Sequence, residues 1–215
     1  MKIIRLRAHP HQRGKIIIQL DTGQQLVISK SSIVSANIAS NQELSEDQLH
    51  QLQKIAAQEH ALDHALQYLA SRPRSEQEIR QRLRSAGISE VEQEQTLTKL
   101  REQGLVNDSS FAQLWRESRD RTNPRGAQLL RYELRLKGLT NETIASALPT
   151  PEEESELALR LLARALNHFH GHTWHDFQTQ FFPYLQRRGF SSDIISQALR
   201  TAWQELHEKP ASSDH

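Results

Sequence analysis

The sequence predicts a mainly α-helical protein in which three tandem three-helix repeats follow a small N-terminal β element. A seven-residue pattern occurs three times, and its glycines, Gly87, Gly138 and Gly189, are separated by a constant 51 residues. A fixed period of this length is typical of repeat proteins. In addition, β-branched runs are confined to the first forty residues, and apolar residues at helical spacing follow them. We therefore expect three helical units that line an extended surface.

Residues 1–41 are predicted to form the β element. They contain three runs rich in β-branched side chains: IIRLR from residue 3, KIIIQL from residue 15 and QLVIS from residue 25. Asp21, Thr22 and Gly23 predict a tight turn between the second and third runs, because glycine adopts positive φ without steric cost. Residues 42–59 are predicted to form a linking helix with Ser45 as its N-cap.

The repeated pattern is typical of a joint between two helices. In its first copy, LRSAGIS at residues 83–89, Gly87 would end a helix in the left-handed conformation. Leu83 and Ile88 would then touch, as in a Schellman motif, and Ser89 would N-cap the next helix. The other two copies are LRLKGLT at residues 134–140 and LQRRGFS at residues 185–191. Gly87, Gly138 and Gly189 are therefore the predicted structural joints of the repeats.

Capping residues and glycines divide the rest of the chain. Ser75 followed by Glu78 predicts a capping box, and Asp108 is a candidate N-cap after Gly104. The predicted repeats occupy residues 60–107, 108–150 and 151–208, and residues 209–215 are expected to form a disordered tail. Within the repeats we predict helices at 60–71, 75–86 and 89–103, at 108–121, 126–137 and 140–148, and at 153–168, 174–188 and 191–208.

Composition excludes several classes of function. The chain has no cysteine, which excludes disulfides, zinc fingers and thiol catalysis and favours a cytoplasmic location. Its first residues contain no apolar run of signal-peptide length, and no stretch suits a membrane span. Neither a glycine-rich phosphate loop nor a GxSxG nucleophile motif occurs. We predict a monomer without enzymatic activity, cofactor or metal.

A histidine-rich segment, HFHGHTWHD, offers candidate metal ligands. His168, His170, His172 and His175 lie close together, and neutral imidazole is a good metal ligand. Their spacing does not reproduce the HxHxDH pattern of binuclear metallohydrolases, because His172 and Thr173 stand where that pattern has Asp-His. We therefore interpret the segment as a solvated loop.

Basic residues are concentrated in the first two repeats. Between residues 116 and 137, seven basic residues outnumber three acidic ones, a net charge of +4 in a chain whose total is +1. Two interpretations remain open: the arginines pair with nearby glutamates on a solvated surface, or they form a stripe that faces phosphate or an acidic partner. The candidate partner- or DNA-binding residues are Arg72, Arg74, Arg82, Arg116, Arg119, Arg121, Arg125, Arg131, Arg135 and Lys137.

Two classes of binding protein fit the pattern. In a tandem helix-turn-helix DNA-binding protein, the helix after each glycine would enter the major groove and would need side chains that approach phosphates and bases. The predicted segments 90–97, 141–148 and 192–199 carry acidic residues and no basic ones. Groove reading is therefore disfavoured, and a helical-repeat protein that binds an elongated partner is favoured.

Residues 60–148 also carry three local motifs. They are an R-x-R-S…E motif at Arg72, Arg74, Ser75 and Glu78, a D-x-x-F-A motif at Asp108, Phe111 and Ala112, and a G…EL-x-x-KG motif at Gly126, Glu133, Leu134, Lys137 and Gly138. Together these motifs resemble the RecX family of recombinase regulators. The resemblance continues more weakly through the third repeat, and an N-terminal β-containing extension also occurs in longer members of the family.

The resemblance implies a non-enzymatic regulator of the RecA recombinase. In this family three tandem three-helix repeats form an extended, curved rod. The rod lies in the helical groove of the RecA–DNA filament, where it hinders filament growth, ATP hydrolysis, strand exchange and the co-protease activity linked to the SOS response. For this chain the resemblance implies a RecA filament as partner, with single- or double-stranded DNA as a weaker one.

Overall fold

The structure is a computed structural model that describes residues 1–169, 171 and 173–208, with the backbone alone described for His168 and Glu208. The predicted mainly α-helical fold with a small N-terminal sheet is confirmed. By contact density the chain divides into two compact units, Met1–Val106 and a second that begins at Asn107. The predicted tail, residues 209–215, lies outside the described residues.

The N-terminal element is an antiparallel sheet of three strands in the order β1 (Ile3–Ala8), β2 (Lys15–Leu20) and β3 (Gln25–Ser29). All three coincide with the predicted β-branched runs. A short helix, α1 (Lys30–Ser35), follows β3 directly and was not predicted. The Ser29 side chain caps it by accepting a hydrogen bond from the Ser32 amide, so one serine ends the strand and begins the helix.

A single long helix, α2 (Glu46–Leu69), connects the sheet to the first three-helix unit. The prediction divided this segment into a linking helix at 42–59 and a repeat helix from residue 60, but the structure has no break there. The first half of α2 buries Leu52 against the sheet, and the second half buries Ala61 and Ala65 against α3 (Glu76–Ser85) and α4 (Glu90–Glu102). One rigid helix thus belongs to two hydrophobic cores.

The second compact unit contains two further three-helix groups. The first group consists of α5 (Asp108–Thr122), α6 (Ala127–Leu136) and α7 (Asn141–Ala147). The second consists of α8 (Pro151–Ala165), a 3₁₀ turn at Leu166–His168, α9 (Trp174–Gln186) and α10 (Ser192–Glu208). Apart from the start of α2, every predicted helix begins and ends within one turn of its predicted bounds.

Each three-helix group has its own hydrophobic core. Ile79, Leu83, Leu97 and Leu100 form the centre of the first core. Phe111, Leu130, Leu134 and Ile144 form the centre of the second, and Phe177, Phe181, Phe190 and Leu199 form the centre of the third. Three cores of modest size agree with the polar composition of the chain, because small units bury a smaller share of their surface.

The joints have the hydrogen bonds of Schellman motifs. At the first joint the Ile88 amide donates to the Leu83 carbonyl at 3.2 Å, and Gly87 has φ +76°. The Gly87 amide also donates to the Arg84 carbonyl at 3.0 Å. Gly138 and Gly189 have φ +81° and +83° and the corresponding pair of hydrogen bonds. Two residues after each glycine, the hydroxyl of Ser89, Thr140 or Ser191 accepts a hydrogen bond from the backbone amide three residues further on.

One predicted cap is wrong. The N-cap of α5 is Asn107, whose Oδ1 accepts from the Ser110 amide at 2.9 Å, whereas Asp108 is the first residue of the helix. Asparagine and aspartate are about equally good caps, so neighbouring candidates are not distinguished by residue type.

Candidate functional site

Three of the ten candidate cations belong to α3 and the segment before it: Arg72 and Arg74 precede the helix, and Arg82 lies in its last turn. The Arg74 guanidinium stacks on the Tyr68 ring, with its Cζ 3.9 Å from the ring centroid. Arg72 forms an ion pair with Glu78 at 2.8 Å, so both arginines help to order the connection between α2 and α3. Arg82 is exposed, with its Cζ 5.9 Å from the Tyr68 ring.

A single carboxylate on α6 receives several groups from α5 and the following loop. The Glu133 side chain is 16% exposed, and its Oε2 accepts from both Trp115 Nε1 and Arg119 Nε at 2.8 Å. Arg125 Nε lies 3.3 Å from the other oxygen, Oε1. The charges of Arg119 and Arg125 are therefore directed at a carboxylate of their own unit, where they fasten α5 to α6.

Arg116 connects α5 to α8. Its guanidinium lies 3.4 Å from the Asp120 carboxylate and 2.8 Å from that of Glu153. Burial raises the pKa of Asp120, and the charge of Arg116 offsets part of this effect. The hydrogen bond from the Thr150 amide, followed by that from Arg116, lowers the pKa of Glu153. Arg116 is thus also compensated within the unit.

Lys137 and Arg135 lie near the end of α6. The Lys137 ammonium is 5.0 Å from the centroid of the Trp115 ring, which also carries the Arg119 guanidinium at 4.5 Å. Arg135 is exposed and donates to the neutral side chain of Asn141 at 3.3 Å. Within the described part of the chain, its positive charge is therefore not paired with a carboxylate.

Arg121 and Arg131 are the least compensated cations of this group. Arg121 lies in the last turn of α5 and Arg131 in the middle of α6, and both are exposed. Within the part of the chain that the structure describes, neither forms an ion pair or a side-chain hydrogen bond. The described part of the chain therefore leaves both charges uncompensated.

The exposed side of α6 also carries two large apolar side chains that were not predicted as site residues. Tyr132 is 59% exposed and Leu136 is 68% exposed. The buried stripe of this helix runs through Leu130 and Leu134, two positions earlier in each case. Two residues correspond to about 200° around a helix, so Tyr132 and Leu136 lie on nearly the opposite side of α6 from Leu130 and Leu134. A second apolar row displaced by two positions from the buried one therefore indicates apolar side chains on the exposed side. We call Arg131, Tyr132, Arg135 and Leu136 the α6 outer face.

The start of α6 is held by residues of the third group. Gly126, the N-cap of α6, has no side chain to cap the helix. Instead the buried carboxylate of Glu154, on α8, accepts from the Ala127 amide at 2.9 Å. The Gly126 amide donates to the Arg188 carbonyl at 2.9 Å. The orientation of α6, and hence of its outer face, is therefore set by α8 and by the turn after α9.

The helices that follow the joints present acidic side chains. On α4, Glu90 and Glu94 are exposed and Glu92 is half-buried, and Glu94 pairs with Arg80 and Arg101. On α7 and α10, Glu142 and Asp193 are exposed in the first turn. In a helix-turn-helix protein these helices would approach DNA, and their carboxylates would be repelled by phosphate.

The histidine-rich segment lies partly outside the described residues. This holds for His170, His172 and the side chain of His168, whereas His175 is exposed in the first turn of α9. Among the described residues, no three His, Cys, Asp or Glu side chains are arranged to hold a metal ion. None of the described helices combines the length and apolarity required to cross a bilayer.

Comparison with family models matches all three helical groups in order. Residues 61–100 match the first three-helix domain of RecX, residues 107–148 match the second, and residues 152–199 match the third. Together these matches cover more than half of the chain.

Individual relatives agree with the family models. Regulatory protein RecX of Amycolatopsis mediterranei is 34% identical over 147 residues, which cover 67% of this chain and 82% of that protein. Regulatory protein RecX of Enterococcus faecalis is 25% identical over 90% of this chain and 73% of its own length.

Solved structures are similar over most of the chain. A crystal structure of regulatory protein RecX has a TM-score of 0.71 at 27% identity and covers 92% of this chain and 98% of that one. The crystal structure of RecX from Lactobacillus salivarius has a TM-score of 0.62 at 25% identity, over 68% of this chain and 96% of its own.

Proposed function

The chain belongs to the RecX family, and we propose that it is a non-enzymatic regulator that binds the RecA–DNA filament and restrains the recombinase. Binding in the filament groove would hinder filament growth, ATP hydrolysis, strand exchange and co-protease activity. The protein would thereby modulate recombination and the SOS response.

The succession of three matched domains carries this proposal. Each matched segment contains most of one hydrophobic core of the structure, centred on Leu83, Leu134 and Phe181 respectively. A series of similar units offers similar surfaces at intervals along one chain. A helical filament likewise presents the same subunit surface repeatedly, so a repeat protein suits a filament as its partner.

The distribution of charge supports binding rather than catalysis. Arg121, Arg131 and Arg135 are exposed and lack carboxylate partners among the described residues, so they are available for acidic protein surface or for DNA phosphate. Hindrance of this kind requires an occupied surface and no chemical step, so the proposed role needs no catalytic group or cofactor.

The proposal places the protein in the cytoplasm as a monomer. The lack of cysteine supports a reducing compartment, because proteins of such compartments rarely depend on disulfides. Weak binding to single- or double-stranded DNA without RecA is expected from the exposed arginines, since phosphate contacts are not specific to sequence.

The test is the ATP hydrolysis that single-stranded DNA stimulates in RecA of the same organism. This protein is titrated into the reaction while its binding to the same DNA without RecA is followed in parallel. We expect inhibition at concentrations that leave the bare DNA unoccupied. Unchanged hydrolysis together with tight, sequence-dependent binding to duplex DNA would contradict the proposal and favour a helix-turn-helix DNA-binding protein.

A charge-reversed variant tests the surface involved. Arg121→Glu with Arg131→Glu should weaken inhibition, because both residues are exposed and neither pairs within the described chain. Arg164→Glu with Arg200→Glu is the matched control, since it reverses two exposed arginines of the third group. Equal effects of the two double variants would indicate that only net charge matters.

A further inference from the structure

The α6 outer face combines two side-chain rows that differ in chemistry. Arg131 and Arg135 are four residues apart and therefore lie one above the other on the helix surface. Tyr132 and Leu136 form a parallel row at the next positions, with exposed fractions of 59% and 68%. A guanidinium row thus runs beside an apolar row over slightly more than one turn.

Neither row is used by the fold. The core contacts of α6 are made by Leu130 and Leu134, which are 1% and 0% exposed, and its inward carboxylate is Glu133. Arg131 has no ion pair within the described chain, and Arg135 contacts only the neutral Asn141 side chain there. Replacing these four residues would therefore change the surface more than the interior.

We infer that the α6 outer face binds an acidic protein surface in which carboxylates flank an apolar side chain. The inference rests on the proposed function, which places that surface on the RecA filament. Arginine and tyrosine are enriched at the centres of protein interfaces, where an apolar contact excludes water and strengthens adjacent ion pairs. The two rows fit a partner of complementary charge, because their guanidiniums meet no carboxylate among the residues that the structure describes.

The composition of the face favours protein over DNA. A phosphate backbone is bound by several cations spaced along it, and an exposed leucine contributes nothing to that contact. Here the neighbouring cations Arg119 and Arg125 are directed at Glu133 instead of outward. Stacking of a base on Tyr132 is the remaining way in which DNA would use this face, and the experiment distinguishes it.

The experiment measures the affinity of the full-length protein for two probes. One probe is RecA of the same organism assembled on oligo(dT) with a non-hydrolysable ATP analogue, and the other is oligo(dT) alone. Tyr132→Ser with Leu136→Ser removes the apolar row, and Arg131→Gln with Arg135→Gln removes the charged row. We expect each double variant to bind the filament at least about tenfold more weakly, with affinity for oligo(dT) changed less than about threefold.

Two matched controls come from exposed residues elsewhere. Val91→Ser with Leu206→Ser removes two apolar side chains that are 67% and 41% exposed. Arg164→Gln with Arg200→Gln removes two exposed charges. Both should bind the filament as the wild type does, and all four variants should melt within about 2 °C of it, because exposed substitutions change stability little.

Each other outcome overturns the inference. Filament binding that survives loss of either row would show that the two rows do not act together. Weakening that appears equally with oligo(dT) alone would assign the face to DNA. If the wild type itself does not bind the filament, the proposed function is contradicted. If the wild type binds but the α6 variants do not behave as expected, the proposed function stands and only the role of the α6 outer face is contradicted.

Discussion

Gly126 and Gly189 pack backbone against backbone where the start of α6 meets the turn between α9 and α10. A Cβ added at Gly126 would lie 2.3 Å from the Gly189 carbonyl oxygen, and one added at Gly189 would lie 2.3 Å from Leu129 Cβ. The Gly189 carbonyl also accepts from the Gln128 amide at 3.1 Å. Gly189 therefore has two roles: it ends α9, and its lack of a side chain allows the start of α6 to pack closely against it.

Alanine at two of the joints should separate these roles. Gly87→Ala is expected to cost about 1 kcal/mol, because φ is +76° but nothing lies within 4 Å of the added carbon. Gly189→Ala should cost about 2–4 kcal/mol, since a similar φ is combined with contacts at 2.3–2.4 Å. The measurement is the free energy of unfolding in urea.

Gly126→Ala provides the control for the contact alone. Its φ of −70° is accessible to any residue, so the whole expected loss, about 1–3 kcal/mol, comes from the close approach to Gly189. Equal losses for Gly87→Ala and Gly189→Ala would mean that the backbone conformation alone sets the cost.

Glu154 should stabilise α6 as a cap supplied by another helix. Glu154→Ala removes the acceptor of the Ala127 amide and is expected to cost about 1–2 kcal/mol. Glu154→Gln keeps an oxygen acceptor and loses only the charge, so its cost should be smaller. The measurement is the free energy of unfolding of both variants in urea. An equal loss in Glu154→Ala and Glu154→Gln would contradict the hydrogen-bonding role and attribute the effect to the negative charge near the N-terminus of α6.

Glu133 should be needed for the stability of the second helical group. Glu133→Ala leaves Arg119 and Trp115 without their shared acceptor and Arg125 without its ion-pair partner, and we expect a loss of about 2–3 kcal/mol. Glu117→Ala, an exposed substitution on α5, should change stability by less than about 0.5 kcal/mol. The measurement is the melting temperature of the wild type and of the two variants. Equal melting temperatures for Glu133→Ala and Glu117→Ala would contradict this role.

Glu59 and Lys15 join the sheet to α2. The Glu59 carboxylate accepts a hydrogen bond from Lys15 Nζ at 2.8 Å. It also accepts hydrogen bonds from the Ser29 amide, the Ser29 hydroxyl and the Ser32 hydroxyl. Burial alone would raise the pKa of Glu59, but these hydrogen bonds outweigh it and lower the pKa below 4.5. Burial lowers the pKa of Lys15, but hydrogen bonds to Asp63 and Glu59 raise it above 10.5 overall.

These shifts predict the pH dependence of stability. Because the pKa of Glu59 is depressed in the folded protein, its contribution is present above pH 4.5 and is lost as pH falls through the folded value. The Lys15 contribution is present below pH 10.5 and is lost as pH rises through its raised pKa. Glu59→Gln should therefore be less stable than the wild type at pH 7, with the difference shrinking in acid.

Asp63→Asn is the matched variant for Glu59→Gln. Asp63 contacts Lys15 at 2.8 Å but does not accept the serine hydrogen bonds, so its replacement should cost less at pH 7. Unfolding measured at several pH values provides the comparison. A stability difference between Glu59→Gln and wild type that does not vary with pH would contradict the assigned charge interaction.

Local chemistry explains why most elements were predictable. Ser75 and Ser89 form capping boxes with residues three positions later, and Gly87 closes its joint with residues of the same turn. Such signals depend on a few neighbouring residues, so they can be recognised in the sequence without knowledge of the fold. The short α1 was missed because Ser29 both ends a strand and caps a helix. The continuity of α2 was missed because its two halves face different cores.

The candidate cations were identifiable as a group but not individually. Arg119 and Arg131 are indistinguishable in the sequence, yet one contacts Glu133 at 2.8 Å and the other has no ion pair within the described chain. Tyr132 and Leu136 had a detectable signal, namely an apolar row out of phase with the buried Leu130 and Leu134. Their exposure nevertheless depends on which side of α6 the other helices cover.

The sequence by itself determined the strands, most of the helices, the joints, the three-part repeat and the family, because each depends on residues that are close together in the chain. Tertiary structure alone decided that Gly126 meets Gly189, that Glu154 caps α6 and that Glu133 neutralises Arg119. These contacts join residues 14 to 63 positions apart. The physical reason is that a charge or a close contact is defined by distance in space, and that distance exists only once the helices have packed.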